Sequence, residues 1–200
     1  MKGSLIIVGF FIAGILAGVF HLIPNGVITE HHSYYALCLL MFCVGVSMGN
    51  DTNVLSKFKN LNPRLILLPF VTIAGTLGGS AVAGAFLPER SLTDCLAVGS
   101  GMGYYSLSSI FITQYRGAEL GTVALLANIM REITALVCAP LLARWFGKLA
   151  PISTGGATTM DTTLPIITRT CGEQYVVLSV FHGFVCDFSV PFLVTFFCSI

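Results

Sequence analysis

Charged residues are scarce in this 200-residue chain, and the scarcity excludes most soluble folds. Only 10% of the residues are Asp, Glu, Lys or Arg, compared with about 25% in an average soluble domain. A soluble domain needs a charged surface that this composition cannot supply. Hydrophobic residues make up 55% of the chain and the mean hydropathy is +0.87. The composition therefore indicates a polytopic membrane protein.

The chain also lacks a surplus of charge and the patterns typical of enzymes. The net charge is +1, which gives no indication of nucleic-acid binding. The seven cysteines form no Cys-x-x-Cys pair and no His/Cys cluster, so we interpret them as buried thiols. No metal-ligand spacing, nucleophile elbow or sensible Ser/His/Asp order is present. We expect a protein that is not an enzyme and has no cofactor and no metal.

What the sequence does contain is a series of apolar runs, of which about 20 residues suffice to cross a bilayer. Five such runs occupy residues 4–23, 34–50, 64–87, 118–143 and 174–199. Two further segments, 91–113 and 150–168, are apolar but interrupted by Gly-rich stretches. We predict an all-α polytopic membrane protein, with about five spanning helices and two Gly-interrupted helices, broken or re-entrant.

The two interruptions are the most informative feature of the sequence. The first reads GSGMGYYS at residues 99–106, and the second reads GGATTMDTT at residues 155–163. Hydrocarbon cannot satisfy the backbone groups of a broken helix, so such breaks persist only where they line a protein cavity or a water-filled path. Paired interruptions of this kind mark the substrate site of transporters. The pattern predicts a small-solute transporter, or part of one.

A weak internal repeat links the two interrupted segments. ITQYRGAE at residues 112–119 resembles ITRTCGE at residues 167–173. Each follows a Gly-rich break and precedes a long apolar run. The pattern predicts one unit, a broken helix and then a spanning helix, that occurs twice in the same orientation.

The placement of Lys and Arg predicts the orientation in the membrane. The loop at residues 50–64 contains Lys57 and Lys59 and is assigned to the cytoplasm. If both interrupted segments cross the membrane fully, Arg116 and Arg169 lie on the cytoplasmic side. Arg90, Arg144 and Lys148 then lie on the outer side, and so does the C-terminus. Arg144 and Lys148 fit this arrangement poorly, and a re-entrant second segment would reverse the last helix.

Polar side chains in the middle of the 118–143 run are candidates for function. Placing Arg131 or Glu132 at the centre of a bilayer costs about 2.5–3.5 kcal/mol each. Adjacent helical residues point about 100° apart and do not pair, so each needs its own partner. Asn128 precedes them by one turn and could orient either. The alternative is a structural ion pair that holds helices together.

The second interruption contains one charged residue, Asp161. The hydroxyls of Thr159 and Thr162 lie near it in sequence, and its carboxylate could bind a cation or a substrate ammonium group. The alternative is an N-cap for the helix that Pro165 begins. The two roles are compatible.

In the first interruption, Gly101 and Gly103 allow a ligand to approach the backbone closely. Freed N–H groups at the start of a half-helix would suit a carboxylate, while Tyr104 and Ser106 add a ring and a hydroxyl. Helix packing through small residues is the alternative. Asp187 in the last run could serve proton or ion coupling. The candidate binding or coupling residues are Glu132, Asp161, Asn128, Arg131, Gly101, Gly103, Tyr104, Ser106, Thr159, Thr162 and Asp187.

Three motifs together resemble the LysO-type lysine exporter family of bacteria: GSGMGYYSLS at residues 99–108, LLANIMREI at residues 125–133, and GGATTMDTTLPI at residues 155–166. The resemblance implies proton-coupled export of L-lysine across the inner membrane. It also implies that the functional intramembrane glutamate of the family corresponds to Glu132, which would neutralise a substrate ammonium group or carry a coupling proton.

Family members usually have further N-terminal segments with a second important acidic residue, which this chain does not match. We therefore expect residues 1–200 to form one transmembrane transporter domain, completed by a small membrane partner that supplies the missing helices or by a homo-oligomer. At membrane depth the acidic residues Glu132, Asp161 and Asp187 outnumber the single arginine, Arg131. This excess of negative charge favours a cationic substrate. The alternatives are a transporter of another small solute, a non-transporting membrane subunit and an intramembrane enzyme.

Overall fold

The computed structural model describes residues 63–200 and seven isolated earlier positions, namely 16, 17, 20, 35, 39, 42 and 46. The predicted spans at residues 4–23 and 34–50 lie almost wholly outside the described residues, and so do Lys57 and Lys59. The chain divides into two compact units, Met1–Asn50 and Asp51–Ile200, and the helices from residue 63 onward belong to the second. Between residues 63 and 200 every regular element is a helix, so the prediction of an all-α membrane protein is confirmed.

Eight α-helices follow one another in this part of the chain. They are α1 (Pro63–Ile66), α2 (Leu68–Ala85), α3 (Leu92–Gly99), α4 (Tyr105–Arg116), α5 (Ala118–Phe146), α6 (Ala150–Gly155), α7 (Leu164–Cys171) and α8 (Val176–Ser199). Short 3-10 helices occupy Gly156–Met160 and Glu173–Tyr175. Three stretches of the described chain are long and apolar enough to cross a membrane, namely Arg64–Ala85, Ala118–Phe146 and Glu173–Ser199. They correspond to the third, fourth and fifth predicted runs.

The first interrupted segment folds back on itself. Arg90, just before α3, pairs with Glu119 in the first turn of α5. Arg116 at the end of α4 lies 3.8 Å from Asp94 at the start of α3, measured from Nη1 to Oδ1. Both ends of the segment therefore lie at the N-terminal end of α5. We call Leu92–Arg116 hairpin 1.

The second interrupted segment also folds back, but at the opposite end of α5. Lys148, just before α6, donates a hydrogen bond from Nζ to the carbonyl of Thr170 near the end of α7, at 2.8 Å. We call Ala150–Cys171 hairpin 2. The long helix α8 joins the two ends of the molecule, because Arg116 at the base of hairpin 1 donates from Nε to the carbonyl of Cys198 at 3.1 Å.

One feature of the predicted topology is therefore wrong. The repeat of a broken helix and a spanning helix does not keep its orientation: hairpin 1 with α5 and hairpin 2 with α8 start from opposite ends of α5. Of the two alternatives left open for the interrupted segments, the structure has re-entry, since Arg116 lies at the same end as Arg90, and Lys148 at the same end as Arg169. The similar motifs mark the base of each hairpin, and a local motif does not record the direction in which the preceding chain turned.

An apolar cluster holds hairpin 2 against the helices around it. Its buried members are Ala143, Ile152, Ile167, Cys171 and Leu178, and Leu65 and Leu68 pack against them. These residues come from α5, both arms of hairpin 2 and α8, and the flanking leucines come from the start of α2 and the helix before it. The cluster fixes the base of hairpin 2, so that its irregular segment points toward the middle of α5.

Candidate functional site

The irregular segments of the two hairpins contact each other directly. The backbone N–H of Ala157 in hairpin 2 donates to the carbonyl of Met102 in hairpin 1 at 2.9 Å. Met102 is fully buried and has a φ of 46°, while Gly156 has a φ of 63°. A Cβ at Gly156 would overlap the Met102 carbonyl, so this close approach requires glycine. The hydrogen bond thus satisfies one backbone N–H of the second break and one backbone carbonyl of the first.

Asn128 fixes hairpin 1 to α5. Its Oδ1 accepts a hydrogen bond from the N–H of Gly103 at 2.8 Å, and its Nδ2 donates to the carbonyl of Val98 at 3.2 Å. A Cβ at Gly101 would overlap the Asn128 amide. The side chain therefore binds the break rather than orienting Arg131 or Glu132, as the sequence suggested it could.

Arg131 binds hairpin 2 one turn further along α5. Its Nε donates to the carbonyl of Thr154 at 2.9 Å and its Nη2 donates to the carbonyl of Ser153 at 3.0 Å. Its Nη1 donates to Thr76 Oγ1 of α2 at 3.2 Å. These carbonyls belong to the last turn of α6, where a cation is favoured. No carboxylate of the described chain pairs with Arg131, so within these residues Arg131 does not form the structural ion pair that was the alternative.

Glu132, by contrast, has no hydrogen bond or ion pair with any described residue and is half-buried. Its carboxylate and that of Asp161 both act electrostatically on the hydroxyl of Tyr105, at the start of α4. Asp161 and Asp187 act in the same way on Tyr104. We refer to Glu132, Asp161 and Asp187 as the acidic cluster, which adjoins the two tyrosines of hairpin 1.

Asp161 is exposed beside the 3-10 turn of hairpin 2. It accepts the N–H of the next residue, Thr162, at 2.5 Å, and the Thr162 hydroxyl lies 3.3 Å from the same carboxylate oxygen. The N-cap of α7 is Thr163, so the interpretation of Asp161 as that cap is wrong. Its other carboxylate oxygen forms no hydrogen bond with any described residue.

The remaining predicted residues divide between the site and its support. Thr159 is fully buried, and its hydroxyl lies 2.8 Å from the carbonyls of Gly156 and Ser179 and 3.3 Å from His182 Nδ1. It therefore ties hairpin 2 to α8 and does not face the cluster. Ser106 is exposed on the first turn of α4. Asp187 is only 6% exposed, in the middle of α8.

The structure thus sets Asp161 and Asp187 within electrostatic range of Tyr104, and Glu132 and Asp161 within range of Tyr105. It assigns Asn128, Arg131 and Thr159 to holding the breaks in place. The sequence reasoning missed the carbonyls that anchor Arg131 and the role of Met102. A signal for the first existed, because an arginine in mid-span without an acidic neighbour needs other acceptors. No local pattern indicated that Met102 would contact the second break.

Comparisons with known proteins show the family of the chain. The family model described as "Lysine exporter LysO" matches residues 8–198. The chain belongs to the LysO lysine exporter family. The family consists of transporters and not of enzymes.

Two relatives in the family show what share of a family member's length this chain matches. The chain is 36% identical over 165 residues to the lysine exporter LysO of Escherichia coli, a match that covers 82% of the chain and 54% of that protein. It is 32% identical over 196 residues to a protein of Haemophilus influenzae named as a candidate lysine exporter. That match covers 98% of the chain and 96% of the Haemophilus influenzae protein. The chain therefore spans about half of the first relative and nearly all of the second. No solved structure matches the chain.

Proposed function

We propose that this chain exports L-lysine, or a close cationic analogue, across the bacterial inner membrane. The observation that supports the proposal most directly is the contact between the two hairpins beside the acidic cluster. Irregular backbone at membrane depth is tolerated where it lines a cavity, and discontinuous helices form the substrate sites of secondary transporters.

The charges around the hairpin contact favour a cation. The three carboxylates of the acidic cluster pair with no described cationic side chain, and Arg131 directs its guanidinium to carbonyls. An unpaired carboxylate away from water is strongly unfavourable, so an incoming ammonium group offsets that penalty. Lysine carries two ammonium groups, and we assign one of them to Glu132 and Asp161.

The carboxylate of the substrate needs donors, and the start of α4 offers them. α4 is 12 residues long and begins at Tyr105, beside the acidic cluster, with no side-chain cap. The first N–H groups of a helix have no partner within it and carry a partial positive charge. We propose that these groups bind the α-carboxylate, while Tyr104 shapes the site.

The orientation follows from the positions of the basic residues. Arg64, Arg144, Lys148 and Arg169 belong to the hairpin 2 end, whereas Arg90 and Arg116 at the hairpin 1 end each lie beside an acidic residue. Since cytoplasmic ends carry the excess of Lys and Arg, we propose that the hairpin 2 end is cytoplasmic. Arg144 and Lys148, which fitted a crossing topology poorly, fit this one.

The first test is lysine efflux from cells loaded with a lysine-containing dipeptide. We expect Glu132→Gln to lower efflux at least about tenfold, because a charge-assisted contact contributes about 1.5–3 kcal/mol. Glu119→Gln is the matched control, since Glu119 is an exposed glutamate of the same helix, and it should retain efflux. Equal efflux from both variants, at equal amounts in the membrane, would remove Glu132 from the site.

Whether a second chain is needed is part of the same proposal. We propose that transport requires additional helices, from a small membrane partner or from a second copy of this chain. Expression alone and together with a candidate partner separates these possibilities. Full lysine efflux by a purified, reconstituted single copy would contradict both, and efflux of another small solute but not lysine would favour the alternative substrate.

A further inference from the structure

Asp187 differs from the other two acidic residues of the cluster in how deeply it is buried. It lies near the middle of α8, is 6% exposed, and forms no hydrogen bond or ion pair with any described residue. Glu132 is half-buried and Asp161 is exposed. An ionised, unpaired carboxylate on a buried residue is disfavoured, so a proton or another cation would stabilise Asp187.

The main chain beside Asp187 adds to this requirement. Pro191 lies four residues further along the same helix, and proline has no N–H to donate to the carbonyl of the residue four positions earlier. The carbonyl of Asp187 therefore lacks its usual helical partner, which places a second electron-rich oxygen at the same level of α8. Both features favour positive charge at this point.

The neighbours of Asp187 connect it to both hairpins. One turn before it on α8, a Cβ at Gly183 would overlap the backbone of Met160 and Ala157 in hairpin 2, and two residues after it the Ser189 hydroxyl lies 4.0 Å from Met102 Sδ in hairpin 1. On α8 itself, Cys186 and His182 are the adjacent titratable groups, and the charged group of α5 that acts on both electrostatically is Arg131. From α2, the uncharged hydroxyl of Thr72 lies 2.9 Å from His182 Nε2.

We propose that Asp187 takes up and releases the coupling proton, at a position separate from the lysine site at Glu132. The proposal rests on the proposed lysine transport. Because Asp161 interacts with both Asp187 and the Tyr105 hydroxyl beside Glu132, an ammonium group bound at Asp161 would favour loss of the proton from Asp187.

Membrane vesicles that contain the active transporter separate coupling from transport. Lysine exchange at equal pH on both sides requires the substrate site alone, whereas accumulation driven by a pH gradient also requires the proton site. We expect Asp187→Asn to retain exchange and lose gradient-driven accumulation, and Glu132→Gln to lose both. Asp94→Asn is the matched control, since that aspartate lies at the base of hairpin 1 beside Arg116, and it should retain both activities.

The other possible results contradict either the proposed lysine transport or the proton site at Asp187. Absence of lysine exchange in the unaltered protein contradicts the proposed function itself. Normal accumulation by Asp187→Asn, loss of exchange in a stably inserted Asp187→Asn, or accumulation driven by a sodium gradient instead of a pH gradient overturns the proton site.

If Asp187→Asn does not insert, the unaltered protein provides a second test. A hydrophobic carbodiimide modifies buried protonated carboxyl groups, and mass spectrometry locates the modified residue. Modification of Asp187 that decreases with added lysine supports the proposal. Modification confined to Glu132 overturns it.

Discussion

At the scale of single residues, side chains on different faces of α5 have different roles: some hold the helix breaks in place, and one is a candidate for binding substrate. Asn128 and Arg131 lie one turn apart and bind the two breaks, one through Gly103 and the other through the last carbonyls of α6. Glu132 follows Arg131 directly, but it points about 100° away and pairs with no described residue. One helix thus holds both breaks and presents a carboxylate beside them.

Replacing Arg131 by lysine tests this assignment. The planar guanidinium donates to two carbonyls and a hydroxyl together, which a single ammonium group cannot reproduce. We expect Arg131→Lys to retain the charge but lower the stability of the purified protein by about 1.5–3 kcal/mol, measured by thermal unfolding in detergent. If Arg131 instead bound substrate through its charge, Arg131→Lys would keep its stability and change only the concentration dependence of efflux.

The sequence predicted residue types better than it predicted their partners. Glu132 was predicted to be functional because a mid-span carboxylate is costly, and that reasoning needs no knowledge of the fold. The partners of Arg131 could not be predicted in the same way, since Ser153 and Thr154 contribute only backbone carbonyls. Any residue at those positions offers the same acceptor.

At the scale of elements, the contact between the breaks depends on one glycine. Gly156 combines a positive φ with close approach to the Met102 carbonyl. An L-residue at a φ of 63° with a ψ of −127° costs about 1–3 kcal/mol from backbone strain alone, and the added methyl group would also push the hairpins apart. We expect Gly156→Ala to lower both stability and lysine efflux.

Gly147 provides a control that separates the two effects. It has a φ of 90°, but a Cβ there would meet nothing within 4 Å. Gly147→Ala should therefore show only the loss from backbone strain, measured by the same thermal unfolding. If the two variants lose equal stability, the contact between the hairpins contributes nothing to the folded state.

The position of each helix break could be predicted, but not the turn that follows it. The glycines within residues 99–103 and 155–156 interrupt helices because glycine has a low helix propensity, which is a local property of the chain. Whether the chain then continues or reverses depends on contacts between residues distant in sequence, such as Arg90 with Glu119 and Lys148 with Thr170. Hydropathy does not report such contacts, and so the sequence left crossing and re-entry open.

At the scale of the whole molecule, two hairpins that enter from opposite ends and meet at their irregular segments give the fold an approximate inversion. In transporters with inverted repeats, the substrate site lies near the bilayer midplane where the repeats meet. Opening either hairpin would expose this region to one side of the membrane while the other hairpin still covers it. The seam between Met102 and Ala157 is the contact that such a movement would have to break.

Labelling single cysteines tests this topology directly. In a background that lacks the native cysteines, we expect a membrane-impermeant maleimide added outside intact cells to label Arg116→Cys. It should label Lys148→Cys only after permeabilisation, because these residues lie at opposite ends of α5 and the end rich in Lys and Arg is cytoplasmic. A chain whose interrupted segments cross fully gives the reverse pattern, with Lys148→Cys labelled from outside. Arg90→Cys serves as the internal standard, since both topologies place it outside, and labelling of Arg116→Cys together with it requires that hairpin 1 returns to the side from which it entered.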